Sequence, residues 1–152
     1  RGISAGLILP QGGFAMADIA ALFDDVLFPV ELLHPVTKEP VGITFHIAPF
    51  EADATADWYM RTQAQYERMK SGEVSADKIA EIDALVIIKR CAASIREWNW
   101  GGNSFGELGI NPACTIENRI AVMSAPGASW IVDQVFQAGV HAENFTRKPE
   151  TI

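Results

Sequence analysis

Cysteine and histidine are scarce in this chain. Cys91 and Cys114 are its two cysteines, which offer neither a disulfide framework nor a metal-binding spacing. The three histidines, His34, His46 and His141, include no HExxH pair and no two four residues apart, which argues against a zinc site. No apolar run approaches the roughly 20 residues that cross a bilayer, so an integral membrane protein is not expected. Positive charge is also in deficit: 12 basic side chains against 19 acidic give a net charge of -7, and such a surface repels phosphate backbones. A nucleic-acid partner is therefore not expected. The Gly-Lys-Ser/Thr ending of a P-loop is missing, and Gly102-Asn103-Ser104-Phe105-Gly106 departs from the Gly-x-Ser-x-Gly nucleophile elbow.

What is present is a chain of 152 residues, 49% of them hydrophobic and 20% charged. That length suits one domain and buries roughly 70% of the surface its unfolded form exposes, so no metal or cross-link is needed for stability. Eight prolines, twelve glycines and mixed charge exclude collagen-like, coiled-coil and wholly disordered chains. A mean hydropathy of +0.11 is high for a small soluble monomer and points to surface buried against partners, or to a large core. Cysteine usage fits a reducing cytoplasm.

Residues 1–15 differ from the rest, and Met16-Ala17-Asp18-Ile19 reads as a start. The expectation is a leader or expression-derived segment at 1–15, a single domain at 16–145 and a loose polar tail at 146–152. From Val26 the apolar period is two: Val26, Phe28, Val30 and Leu32, then Val41, Ile43, Phe45 and Ile47. The turn-forming stretch from His34 to Pro40 makes the pair a β-hairpin. Pro29 lacks an amide donor and confines the first strand to a sheet edge.

After Pro49 the pattern is helical. Asp53 or Thr55 is placed to cap a helix with Tyr59, Thr62, Tyr66 and Met69 on one stripe and Gly72 past its end. Ser75 caps a longer helix, with Asp77 favourable to its dipole. The apolar positions of this helix, from Ile79 to Trp98, cover so broad a face that a central, buried helix is expected. Gly101-Gly102 terminates it. A glycine-rich loop follows, with Phe105 and Leu108 as anchors. Thr115 caps a short helix in which Asn118 takes the capping-box position. Pro126 sits in the first turn of a last helix carrying Trp130, Ile131, Val135 and Phe136. The fold class is α+β, mainly α-helical with an N-terminal β-hairpin.

No catalytic constellation assembles from these residues. Cys91 lies among Val86, Ile87, Ile88, Ala92 and Ile95, the setting of a small buried hydrophobe. The carboxylate pairs Asp24-Asp25, Glu51/Asp53 and Glu81/Asp83 read as solvated acidic faces. Four tryptophans stand out, each with a large ring and an indole donor. Trp98 and Trp130 occupy apolar faces and read as core, whereas Trp100, beside the glycines, reads as the better interface residue.

The order of these signals is familiar. A proline-bearing hairpin from Pro35 to Gly42 precedes a long helix leading into Ile95-Arg96-Glu97-Trp98. A glycine-bearing loop and Thr115-Ile116-Glu117-Asn118 follow, then Trp130, Gln134-Val135 and Asn144-Phe145. This arrangement, from Leu27 to Phe145, resembles the tail assembly chaperones of long, non-contractile phage tails. The resemblance implies a small, mostly helical, non-enzymatic protein without cofactor or metal. Such a protein acts in the host cell cytoplasm, binds the tape measure protein, helps the major tail-tube protein polymerise around it, and is absent from the finished virion. Trp98, Asn118, Trp130, Gln134, Asn144 and Phe145 match the family pattern, and the Trp98-Asn99-Trp100 pair departs from it, a single tryptophan being usual. The partner-binding candidates are Trp98, Trp100, Phe105, Trp130, Gln134, Asn144 and Phe145. The resemblance also implies that a longer, frameshifted form is made.

A chaperone of this kind must offer apolar surface to a sticky helical client and stay soluble through charge of one sign, which the composition fits. Self-association through the uncovered hairpin edge is expected. Two readings compete with it: a structural tail-completion component, and a small enzyme pairing Cys91 with a histidine.

Overall fold

The computed structural model describes residues 26–50 and 52–146. The leader expected at 1–15 lies outside the described residues, as does the expected tail apart from Thr146. The fold is mixed α+β. The chain runs β1 (Phe28–Leu33), β2 (Pro40–Ile47), α1 (Asp53–Lys70), α2 (Ala76–Ser94), β3 (Ile95–Asn99), α3 (Ile116–Ser124) and α4 (Ser129–Val140). Short 3-10 turns at Gly106–Leu108 and Ala142–Phe145 complete it.

The hairpin forms where its alternation predicts. β1 and β2 pair antiparallel, with Phe28 opposite Ile47 and Val30 opposite Phe45, and His34 Nδ1 accepts from the amides of Val36 and Thr37 to tie the turn. The hairpin is two strands of a three-stranded sheet, ordered β1-β2-β3. Pro29 therefore sits on an edge strand, where its missing N–H breaks no ladder bond.

The third strand is a correction. The long helix does not run on to the glycines but stops at Ser94, and Ile95–Asn99 pairs with β2. A register shift between His46 and Ile47 places two β3 residues against one, so the burial pattern Ile95 in, Arg96 and Glu97 out, Trp98 half-in does not alternate. That bulge hides the period of two.

Val30, Leu32, Ile43, Phe45, Ile47 and Ile95 form the buried face of the sheet. Against them pack Cys91 and Ala92 of α2, Val122 and Met123 of α3, and Ile131, Val132 and Val135 of α4. The other face carries Glu31, Thr44, His46, Glu97 and Asn99, none of them buried.

Ser75 caps α2, its Oγ accepting from the Lys78 amide at 3.2 Å. Thr115 caps α3 by accepting from the Asn118 amide at 3.1 Å. Asn118 turns its own amide to the Ala113 carbonyl instead of closing a capping box. α1 starts after Ala52 with no side-chain cap. Thr55, proposed for that role, is buried and accepts from Arg96. Pro126 lies in the turn before α4 and not in its first turn.

α2 enters the main core only over its second half, through Ile88, Cys91 and Ala92. Its first half is covered by α1, through a separate small core of Tyr66, Ile82 and Val86 with Leu85 against it.

The end of α2 is held from outside. Its last turn has no basic residue, yet Arg119 of α3 donates to the carbonyls of Ala92 (2.8 Å) and Ile95 (2.7 Å). Arg96 donates to that of Ala93 at 2.6 Å. Two guanidinium groups thus satisfy carbonyls the helix leaves open and complement the negative end of its dipole. Burial, and then the nearby Arg119 charge, lower the pKa of Arg96.

Candidate functional site

Six of the seven candidate binding residues fall into two groups, and Trp130 lies outside both. Trp98, Trp100 and Phe105 gather with Phe45 into one aromatic cluster. Ring centroids lie 5.4 Å apart for Phe45–Trp98 and for Trp98–Trp100, and 5.7 Å for Trp100–Phe105. The ranking of the two tryptophans is reversed: Trp100, expected at the surface, is 3% exposed, while Trp98 is half-buried. The Trp98 indole donates to the Pro112 carbonyl at 2.8 Å and fastens the 101–112 loop to the sheet.

In that loop Gly101 takes a φ of +58°, and a Cβ there would strike the Gly42 carbonyl, so glycine is required. Beside the cluster, strand β3 and the loop enclose a cavity of about 460 Å³ lined by His46, Glu97, Trp98, Asn111 and Cys114 among others. His46 Nδ1 and the Trp100 indole nitrogen are buried there without a hydrogen-bond partner in the protein.

The second group sits at the far end of α4 and ties the chain together. The Gln134 amide accepts from the Leu33 N–H and donates to the Leu33 carbonyl, each at 2.9 Å. Asn144 donates to the Ala138 carbonyl at 3.1 Å. Phe145 is buried edge-on to Phe28, with centroids 6.1 Å apart. Trp130 stands apart from both groups, half-buried at the margin of the main core. Of these residues, Phe145 and Trp100 present almost no surface to a partner.

An apolar groove that the candidate residues do not include opens between α1 and α2. Tyr66, Met69, Ile82, Leu85 and Ile88 line it, with Lys78, Glu81 and Ser124 at its rim, around about 350 Å³. The same two helices expose Met60 (67%), Met69 (48%) and Ile87 (43%). Lys70 and Asp83 clasp the helices together at 2.8 Å, and that hydrogen bond raises the Lys70 pKa. Lys89 stands 5.4 Å over the Tyr66 ring. The signal in the sequence was the breadth of the apolar face of α2, which Leu85 and Ile88 carry into the groove.

Compared with protein-family models, with curated proteins and with solved structures, the chain matches none.

Cys91 is fully buried, its Sγ 4.0 Å from the Val132 carbonyl. Burial pushes its thiol up to about 12. Cys114 is half-buried with its pKa also raised, chiefly by burial. Among the described residues no three His, Cys, Asp or Glu side chains group so as to hold a metal ion. No described helix is long and apolar enough to cross a membrane.

Proposed function

We propose that this chain is a non-enzymatic chaperone of phage tail assembly. It holds the tape measure protein in the host cytoplasm until tail-tube subunits enclose it, and it leaves before the virion is complete. The order of sequence signals from Leu27 to Phe145 motivates the family. The observation that carries the mode of action is the α1–α2 groove. Its five apolar lining side chains offer the recesses that an amphipathic helix fills with anchors at i, i+3 or i+4, and i+7. A tape measure protein is long and helical and presents such a stripe wherever it is unpaired. The net charge of -7 keeps the loaded complex apart from its neighbours. Cys91 supports the same reading, since a thiol pushed up to about 12 is not a thiolate at neutral pH and is a poor nucleophile.

Co-expression with a helical tape measure fragment tests the proposal. Met69→Asp and Ala84→Asp place a charge on exposed groove-lining positions of the two helices, where the fold tolerates it, and co-purification of the fragment should fall at least tenfold. Val36→Asp, in the 80% exposed hairpin turn, should leave capture unchanged. Equal capture by all three variants would end the groove's role. Recovery of the chain from purified particles would favour the tail-completion reading instead.

A further inference from the structure

The outer edge of β1 is closed by a side chain. Leu33 turns its N–H and carbonyl away from β2, and the Gln134 amide takes both at 2.9 Å from 101 residues away. A carboxamide accepting through oxygen and donating through nitrogen reproduces the pair of bonds that one residue of a neighbouring antiparallel strand would make. Backbone groups alternate along a strand, so Pro29 and Glu31 face outward with Leu33. Pro29 has no donor to offer. Glu31 is exposed, and in a two-fold antiparallel pair of β1 strands centred there it would stand against its own copy, charge to charge. Gln134 occupies this edge at Leu33 with two hydrogen bonds.

We propose that Gln134 is an edge guard: its amide fills the Leu33 pairing position and keeps a second copy of this chain from adding antiparallel to β1. The partner is a second copy because β1 can meet itself about a two-fold axis at Glu31. In that pair Leu33 of each copy donates to the Pro29 carbonyl of the other, and the two Glu31 residues exchange N–H and carbonyl. The missing Pro29 donors cost nothing there beyond two absent bonds. This device is independent of the chaperone reading and needs no client.

The test is sedimentation velocity of the full chain across a concentration series, with near-UV circular dichroism as the check on folding. Gln134→Asn, one methylene shorter, cannot span to Leu33. Its weight-average mass should rise above that of the unaltered chain at matched concentration, towards twofold, and rise further with salt as the Glu31 repulsion is screened. Adding Glu31→Pro removes the central outward donor without touching the β2 ladder and should abolish the rise. Gln134→Glu keeps the bond from the Leu33 N–H but sets a carboxylate against the Leu33 carbonyl, and should associate likewise. A folded Gln134→Asn with unaltered mass at every concentration would overturn the proposal, and so would association that survives Glu31→Pro. Loss of the fold in both Gln134 variants would also overturn it, by making the residue a stability element alone.

Discussion

Gly139 and Phe50 are in such close contact that the residue at 139 has no room for a side chain. A Cβ at Gly139 would land on the Phe50 ring. That ring cannot yield easily: Phe136 meets it edge-on at 5.6 Å and Arg90 stands 4.8 Å over it. Gly139→Ala should therefore lose about 1–3 kcal/mol by overpacking, although alanine is the better helix former. In a thermal melt each kcal/mol lowers Tm by about 2–4 °C at this chain length. Cys91 makes a different kind of prediction. Its unfolded thiol ionises near 9.0, its folded thiol near 12, so above pH 9 the unfolded state binds fewer protons than the native one. The sign is then fixed: this residue's contribution is complete below pH 9 and declines as pH rises from 9 towards 12. Cys91→Ala should cost about 1 kcal/mol at neutral pH, keep client binding, and flatten the alkaline fall in stability measured by urea titration at successive pH values.

At the scale of elements, the arginines behind α2 stand in for a cap the helix does not carry. Arg119→Met keeps most of the aliphatic stem and removes both short bonds to Ala92 and Ile95. It should cost about 1.5–3 kcal/mol of stability in a denaturant titration, and Arg119→Lys should restore only part, because a shorter ammonium lacks the second nitrogen that reaches the Cys114 carbonyl at 3.5 Å. Element by element, the local signals in the sequence were legible. Ser75 and Thr115 cap where they stand, and the hairpin follows from its own alternation and turn. β3 was not legible, since Ile88, Cys91, Ala92, Ile95 and Trp98 hold helical spacing across the boundary and the strand exists through its pairing with β2, some fifty residues earlier. The tryptophan order failed for the same reason: register against Phe45, not the neighbouring glycines, decides which indole is inside. Nor could the sequence foretell that Thr55 would turn inward to Arg96 instead of capping α1.

At the scale of the molecule, the division of the described apolar residues into one large core and one small one decides what each part can do. The sheet with α2, α3 and α4 buries most of its greasy side chains, leaving Val140 at the end of α4 and Leu27, Val36 and Ile110 outside the helices exposed. The α1–α2 pair leaves Met69, with Leu85 and Ile88, lining an open groove, and that surface is where the proposed client binding resides. Of this site the sequence revealed only the surplus on α2, because the groove's walls come from two helices whose crossing is set by packing. The thin join beneath α1 has a further consequence. Tyr66, Ile82, Val86 and Leu85, with the Thr55–Arg96 and Lys70–Asp83 bonds, are few, so α1 is expected to open before the sheet does, at its own free energy. Amide hydrogen–deuterium exchange should find α1 protons exchanging well before those of β2, with a urea dependence shallower than that of global unfolding, and a bound client should slow α1 first. A handle that lets go and re-grips without unfolding the body would give the molecule a release step needing no fuel.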